Sequence, residues 1–411
     1  MCRSLMLLTV LVGMSILLLG CNGAKELDQR ANVIAIGLDT CEQEGMIRIS
    51  YQFAVPKMES SKEDASKDTI ILTNTAASLA EGLNLLSSEV TLQPILAHVK
   101  IIVIGEEVAR RGLDQVLGSL MRYREYRGAM FIVVARGTAK NFLEKNKPVF
   151  VASMAKYYEE MLVNGQETGY FLGTTLHQYY ARLKSKSGQP YIGLIAINPK
   201  SNEGEISTQK TPGERTPGYR AGDIPRSGGN AAEFAGTALF DSDKMVGTLS
   251  TTETRMLAIL LGHYRNGFIV VEDPLDSKAI VNINLRLGSK PKISVVLVED
   301  HPVIHVSILL EGEISSIPSG INYEQGGSSL NSLETQVSKV YSQQMMNVIK
   351  RTQELNTDVA GFGYYLRPAF QSHKEFDEYN WNRKYSQAEV NVEIKTKIRR
   401  TGLMLRTVPT D

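Results

Sequence analysis

Between Pro199 and Asn230 the chain has glycine at 204, 213, 218, 222, 228 and 229 and proline at 212, 217 and 225, with almost no large apolar side chain. Such a stretch cannot bury enough surface to offset the entropy lost on ordering its backbone. It reads as a long exposed linker or mobile loop. The apolar residues of any core must therefore come from the sequence on either side of it. The expected organisation is an N-terminal unit over 21–198, a linker over 199–231 and a C-terminal unit over 232–411, preceded by a targeting segment over 1–20. With 43% hydrophobic and 22% charged residues among 411, the composition is ordinary for a globular chain.

The N-terminal unit alternates strand-like and helix-like runs. Val33–Leu38 and Ile47–Val55 read as strands, the second with Ile47, Ile49, Tyr51, Phe53 and Val55 on one face. Residues 56–68 are polar and read as a loop. Thr75 is placed as the cap of a helix through Ala76, Leu79, Leu83 and Leu86. A buried strand over His98–Ile104 precedes a helix near Glu106–Leu120, then a strand over Met130–Ala135 and a short helix over Thr138–Lys145. A helical subdomain is expected over about 148–190, where Phe150, Met154, Tyr157 or Tyr158, and Met161 form a core stripe rather than a cofactor box. Tyr191–Ile197 closes this half as a strand. Strands alternating with helices imply crossover units and a partly parallel sheet.

Beyond the linker, Phe234–Phe240 and Met245–Leu249 read as a hairpin turning at Asp241–Lys244. Thr251 is placed as the cap of a helix whose apolar run is Met256–Leu261. Phe268–Val271, Ala279–Leu287, Ile293–Val298 and Ile304–Leu310 predict an antiparallel sheet. A long helix is expected over about 328–356, and a final strand alternates Val390, Val392, Ile394, Thr396 and Ile398 with Lys395, Lys397 and Arg399 on a charged outer face. The fold class is thus α+β or mixed α/β, several small domains with mixed sheets flanked by helices.

No constellation of catalytic residues emerges. His301 and His305 are four apart, but Pro302 and the surrounding alternation place them on a strand, about 13 Å apart and too far to share one small ion. Gly361-Phe362-Gly363 lacks the third glycine and preceding strand of a dinucleotide fingerprint and reads as a turn between helices. Neither a phosphate-binding Gly-x-x-x-x-Gly-Lys-Ser/Thr loop nor a Gly-x-Ser-x-Gly elbow occurs. No cofactor or metal site is expected. The run Met121–Arg127 mixes basic and aromatic residues, yet 45 basic against 44 acidic residues leave a formal charge of only +1, so a nucleic-acid partner is not expected.

The start of the chain resembles a bacterial lipoprotein signal. Arg3 precedes Leu5–Leu19, which carries no charge and would span about 22 Å as a helix, short of the roughly 30 Å hydrocarbon layer. Leu18-Leu19-Gly20-Cys21 resembles a lipobox, in which the Cys21 thiol takes a diacylglyceryl group and small Gly20 admits the peptidase. The alternative is an ordinary secretory signal that ends in cysteine. With Cys2 removed and Cys21 acylated, Cys41 would be the one remaining thiol, an unreactive turn residue. A single lipid chain binds marginally, so residence at a membrane needs two chains on Cys21 or a membrane partner.

Several stretches, in order, resemble the C-subunit lipoproteins of spore-germination receptors, the Ger(x)C family of endospore-forming bacteria. They are Glu26–Arg30 leading to Val33–Asp39, then His98–Ala109 with Gly112-Leu113, and Arg124–Arg127 with Val133–Lys140. The most specific is Gly236-Thr237-Ala238-Leu239-Phe240 with Asp243–Gly247 and Glu253-Thr254, followed by Asp358–Gly363 and Trp381. These blocks span about Glu26 to Gly402. The long Pro/Gly segment, and Phe370 near a position where the family often has tryptophan, depart from the pattern.

The resemblance marks Gly37, Gly105, Gly236, Thr237, Gly247, Glu253, Gly361 and Gly363 as motif positions. Gly236 and Gly247 read as sites of a bulge or close approach in strand pairs, and Glu253 suits the positive end of a helix. The resemblance implies a non-enzymatic receptor component held by lipid through Cys21 on the outer face of the spore's inner membrane. There it would join integral-membrane and other receptor subunits and transmit the signal of small germinants. Competing readings are a free-standing solute-binding lipoprotein of two α/β lobes hinged at 199–230, and a cell-wall hydrolase.

Overall fold

Runs of β-branched and aliphatic residues build the first sheet. The computed structural model describes residues 30–55, 69–122, 126–151, 153–199, 218–324 and 327–402. Cys21, the apolar segment before it and the 56–68 loop lie outside the described residues. The strands of the first sheet are β1 (Arg30–Thr40), β2 (Ile47–Ala54), β3 (Thr69–Ala76), β4 (Gln93–Ile95), β5 (Ile101–Gly105), β6 (Phe131–Ala135), β7 (Thr174–Thr175), β8 (Tyr191–Ile197), β9 (Ala232–Asp241) and β10 (Lys244–Leu249). The order is β10-β9-β8-β6-β5-β1-β2-β3, with β4 against β1 and β7 against β6. Strands β1, β5, β6 and β8 run parallel, and antiparallel pairs flank them on both sides.

A parallel centre needs cover on both faces, and β5, β6 and β8 are continuous apolar runs. Helices α1 (Leu79–Glu89), α2 (Glu106–Arg111), α3 (Asp114–Leu120), α4 (Ala139–Lys145), α5 (Met154–Asn164) and α6 (Leu176–Ser185) supply that cover. Phe142 and Leu143 of α4 and Met154 and Tyr158 of α5 pack on Ile34, Ile101 and Val133. On the other face Leu79, Val108, Leu117 and Tyr179, from α1, α2, α3 and α6, meet Ile36, Ile102, Val134 and Ile192.

Several local expectations are corrected. Thr75 lies in β3, and the cap of α1 is Ser78, whose hydroxyl accepts from the Glu81 N–H. The helix expected over 106–120 is two helices, broken at Gly112 with φ +125°. Phe150 is not part of the core stripe. Ser153 caps α5, so the helical period begins at Met154 and leaves Phe150 outside it at 97% exposure. The described part of the linker, 218–230, is packed: Ala221 is buried against the first sheet.

The hairpin β9–β10 also belongs to the first sheet, although it follows the Pro/Gly segment. The boundary between the two sheets therefore falls after Leu249.

The C-terminal part begins with α7 (Thr251–Leu260) and continues through β11 (Asn266–Asp273), β12 (Asp276–Leu287), β13 (Lys292–Val298), β14 (His301–Ser316), the 27-residue α8 (Ser328–Glu354) and β15 (Glu389–Arg400). Short helices α9 (Phe362–Leu366), α10 (His373–Tyr379) and α11 (Trp381–Lys384) lie between α8 and β15. The 16-residue β14 pairs antiparallel with β13 through its first half and with β12 through its second. Its opposite edge takes β15, which runs parallel to it. The four strands expected to pair antiparallel do so, and β15 makes the sheet mixed.

Strand β15 alternates as its sequence predicts, with Ile394, Thr396 and Ile398 buried and Lys395, Lys397 and Arg399 exposed. Its outer edge would leave backbone donors unpaired. Helix α8 takes them: the Ile398 N–H donates to Glu334 Oε1 at 2.8 Å and the Thr396 N–H to Ser338 Oγ at 2.9 Å. The protein is a mixed α+β structure of two mixed sheets flanked by helices. No helix among the described residues is long and apolar enough to cross a membrane.

Candidate functional site

The motif positions fall in three places. The first is the packing of α4 on β1. A Cβ at Gly37 would stand 3.0 Å from Leu143 Cδ1 and 3.2 Å from Ala139 Cβ, so glycine lets the helix approach. A Cβ at Gly105 would overlap Asp39 Oδ1. Asp39 is buried and accepts from the Ala139 and Lys140 N–H groups, at 2.7 and 2.9 Å, which open α4. Burial pushes its carboxyl above the usual carboxylate range, against the pull of those two donors.

The second place is where β9 and β10 meet α7. On β9, Ala235 and Gly236 oppose only Leu194 of β8, a bulge that Gly236 makes possible with φ +92°. Gly236 also lies against the Leu249 carbonyl, 2.5 Å from where a Cβ would stand. Beside it the buried Thr254 hydroxyl of α7 donates to Thr237 Oγ1 at 3.2 Å. The cap of α7 is Ser250, not Thr251. Its backbone N–H donates to Glu253 Oε2 at 2.7 Å while its hydroxyl accepts from the Glu253 N–H, a reciprocal capping box. Glu253 has a second use: Oε1 receives Arg351 Nη1, from the last turn of α8, at 2.8 Å. Leu355, just after α8, fills the space left open at Gly247.

The third place joins the end of α6 to the segment after α8. The Asp358 carboxylate is fully buried and accepts from the N–H groups of Gly361 (2.8 Å) and Gly363 (3.0 Å) and from the Trp381 indole N–H (2.8 Å). Gly361 holds φ +76° at the start of α9, and a Cβ at Gly363 would overlap the Trp381 ring. This knot grips the N-terminal part through bonds to backbone carbonyls. The Gln189 N–H donates to Asp358 O at 2.7 Å, and Arg182 Nη1 donates to Val359 O at 2.9 Å. Thr357 Oγ1 donates to Phe240 O of β9 at 2.5 Å.

Two buried charges escape sequence reasoning. Arg255 of α7 is 1% exposed, and its guanidinium donates to the carbonyls of Thr168 (3.1 Å) and Phe268 (3.3 Å), one from each side of the junction. It lies over the Tyr170 ring, 4.4 Å from the centroid. Glu233 of β9 gathers the 218–230 strap: Oε1 accepts from Asn198 Nδ2 (2.6 Å) and Arg226 Nε (2.8 Å), and Oε2 from the Gly222 N–H (2.7 Å). Glu233 is a lone charge inside the run Ala231–Phe240, a sequence signal that could have drawn notice, whereas Arg255 follows the polar Thr251–Thr254 and gives none.

These places hold donors, acceptors and packing. Among the described residues no three His, Cys, Asp or Glu side chains gather as metal ligands. His301 and His305 stand exposed on β14, and the half-buried Cys41 thiol donates to Gln43 O in the turn after β1.

Residues 23–197 match a family model described as "Spore germination protein N-terminal domain", and residues 235–402 match "Spore germination B3/ GerAC like, C-terminal". The chain belongs to the Ger(x)C family of spore germination proteins. Similar proteins include spore germination protein B3 of Bacillus subtilis, 23% identical over 95% of this chain and 96% of that one. Spore germination protein KC of Bacillus subtilis is 22% identical over 97% and 96%. Spore germination protein GerQC of Bacillus cereus is 21% identical over 95% and 97%. A solved structure, the crystal structure of the GerBC protein, is similar at TM-score 0.49 and 20% identity, covering 89% of this chain and 98% of that one. The two Ger(x)C models end in β8 and begin in β9, so their boundary runs between paired strands of one sheet.

Proposed function

We propose that the chain is a non-enzymatic lipoprotein subunit of a spore germinant receptor, tethered through Cys21 on the extracytoplasmic face of the spore inner membrane and coupling small-molecule sensing to germination. The single observation that carries the reading is the use made of the Ger(x)C motif residues. Thr237 and Gly247 lie where the N-terminal sheet meets α7 and Leu355, Glu253 joins α7 to α8, Gly236 bends β9 against the Leu249 carbonyl, and Gly361 and Gly363 seat Asp358 and Trp381. A body whose motifs join its parts suits docking and transmission, with integral-membrane and other receptor subunits as partners. Relatives across nearly the full length named as spore germination proteins support the same role.

The test is Cys21→Ala in spores. Metabolic fatty-acid labelling is expected to disappear, and germination in response to nutrients to slow. Labelling that persists in the variant overturns the tether. Micromolar binding of amino acids or sugars by the full chain alone would replace coupling with free-standing solute capture.

A further inference from the structure

We propose that the loop between α4 and α5 inserts Val149 and Phe150 into the headgroup region of an anionic bilayer. The idea rests on the reading that this chain stands at a membrane, and adds a second contact, from the folded body itself. Phe150 is 97% exposed and Val149 is 60% exposed, and Phe150 is the most exposed of the large apolar side chains described. Single exposed apolar residues are ordinary on soluble proteins. Here two are adjacent at a loop tip, and the structure holds them out.

The stem of the loop is fixed from both ends. The Lys147 N–H donates to Asn230 Oδ1 at 2.9 Å, and Asn230 Nδ2 donates to Asn146 Oδ1 at 2.7 Å. Pro148 is buried, Val151 packs on the core beneath α5, and Ser153 caps that helix. The tip therefore cannot fold its apolar pair inward without breaking its own supports.

The flanking charge selects the partner. Lys145 and Lys147 are exposed, and neither is ion-paired among the described residues, because the neighbouring Glu144 faces Lys140. An aromatic tip preceded by two exposed lysines matches a surface with an apolar interior and anionic headgroups, which is a bilayer rather than a protein pocket. A lipid on one cysteine limits distance and leaves orientation free. Insertion at a second point would turn a fixed side of the N-terminal sheet to the membrane.

Trp381 is the one tryptophan in the sequence and is buried at 1% exposure, so Phe150→Trp in the full chain creates a single solvent-facing reporter. The variant is added to vesicles of phosphatidylcholine alone or with phosphatidylglycerol, each with and without brominated acyl chains. Blue-shifted emission and bromine quenching are expected with phosphatidylglycerol, beyond the signal of the parent chain. Replacing Lys145 and Lys147 by glutamine in this variant should lower the inserted-to-free ratio roughly 25-fold, about fivefold for each charge near an anionic surface. Emission unchanged on co-sedimenting vesicles overturns the insertion and leaves the lipid tether standing. A shift that requires an added receptor subunit and is absent in pure lipid also overturns it, in favour of a protein contact. Quenching in the Cys21→Ala chain, which lacks the acylation site, supports insertion independently of the tether.

Discussion

A carboxylate shut away from water needs donors for both oxygens, and Asp358 has three: two backbone N–H groups and the Trp381 indole. Asp358→Asn would turn an amide NH2 toward groups that can only donate. The expected loss is about 2 kcal/mol of unfolding free energy, the scale of a charge-assisted bond left unmade, measured by urea titration. Asp39 carries a pH signature. Burial raises its folded pKa above the unfolded value of about 3.9. Between those two values the folded state keeps a proton that the unfolded state has released, so this group's contribution to stability falls as pH rises through the window and is level above it. Unfolding free energies measured from pH 4 to 7 should show a shallower decline in Asp39→Asn than in the parent.

Among elements, α7 shows how one terminus can serve two neighbours. Ser250→Ala removes the cap and should cost about 1 kcal/mol. Glu253→Gln keeps an acceptor for the Ser250 N–H and weakens only the half-exposed pair with Arg351, so about 0.5 kcal/mol is expected. Thermal denaturation of the two variants that reversed this order would contradict the assignment of roles. The period of the side chains made most elements legible. Alternation located β2 and β15, and continuous aliphatic runs located β5, β6 and β8. Caps were misplaced because Ser250, Thr251 and Thr252 are chemically alike at this job and only backbone geometry separates them. Strand β3 escaped notice because Thr73-Asn74-Thr75 interrupts its apolar face. The 218–230 strap looked unable to order itself, since its bonds go to a glutamate on a strand that follows it. Motif spacing placed Gly236 and Gly363 in the chain but could not reveal the carbonyl or the indole that each accommodates.

At the scale of the molecule, the two sheets share one core at the junction, where Leu172, Tyr191, Leu239 and Leu249 of the N-terminal part join the side chains of α7 and α8. Arg255 sits in that seam with carbonyl and aromatic partners from both sides. Arg255→Ala would empty a buried guanidinium site and remove its bonds to the Thr168 and Phe268 carbonyls, with an expected cost of about 3 kcal/mol concentrated at the seam. The parent should unfold in a single transition by far-UV circular dichroism and by Trp381 fluorescence alike, and the variant should separate the two signals. Coincident curves for the variant would mean that the seam does not depend on this guanidinium.

Strand β15 closes the second sheet between β14 and α8, and it follows every other strand of that sheet in the chain. During synthesis the ribosome therefore delivers the whole second half before its hydrophobic slot can be filled. A nascent polypeptide arrested ahead of Glu389 would display that slot to chaperones and proteases, so stop codons that remove β15 alone should abolish accumulation rather than yield a shortened working product.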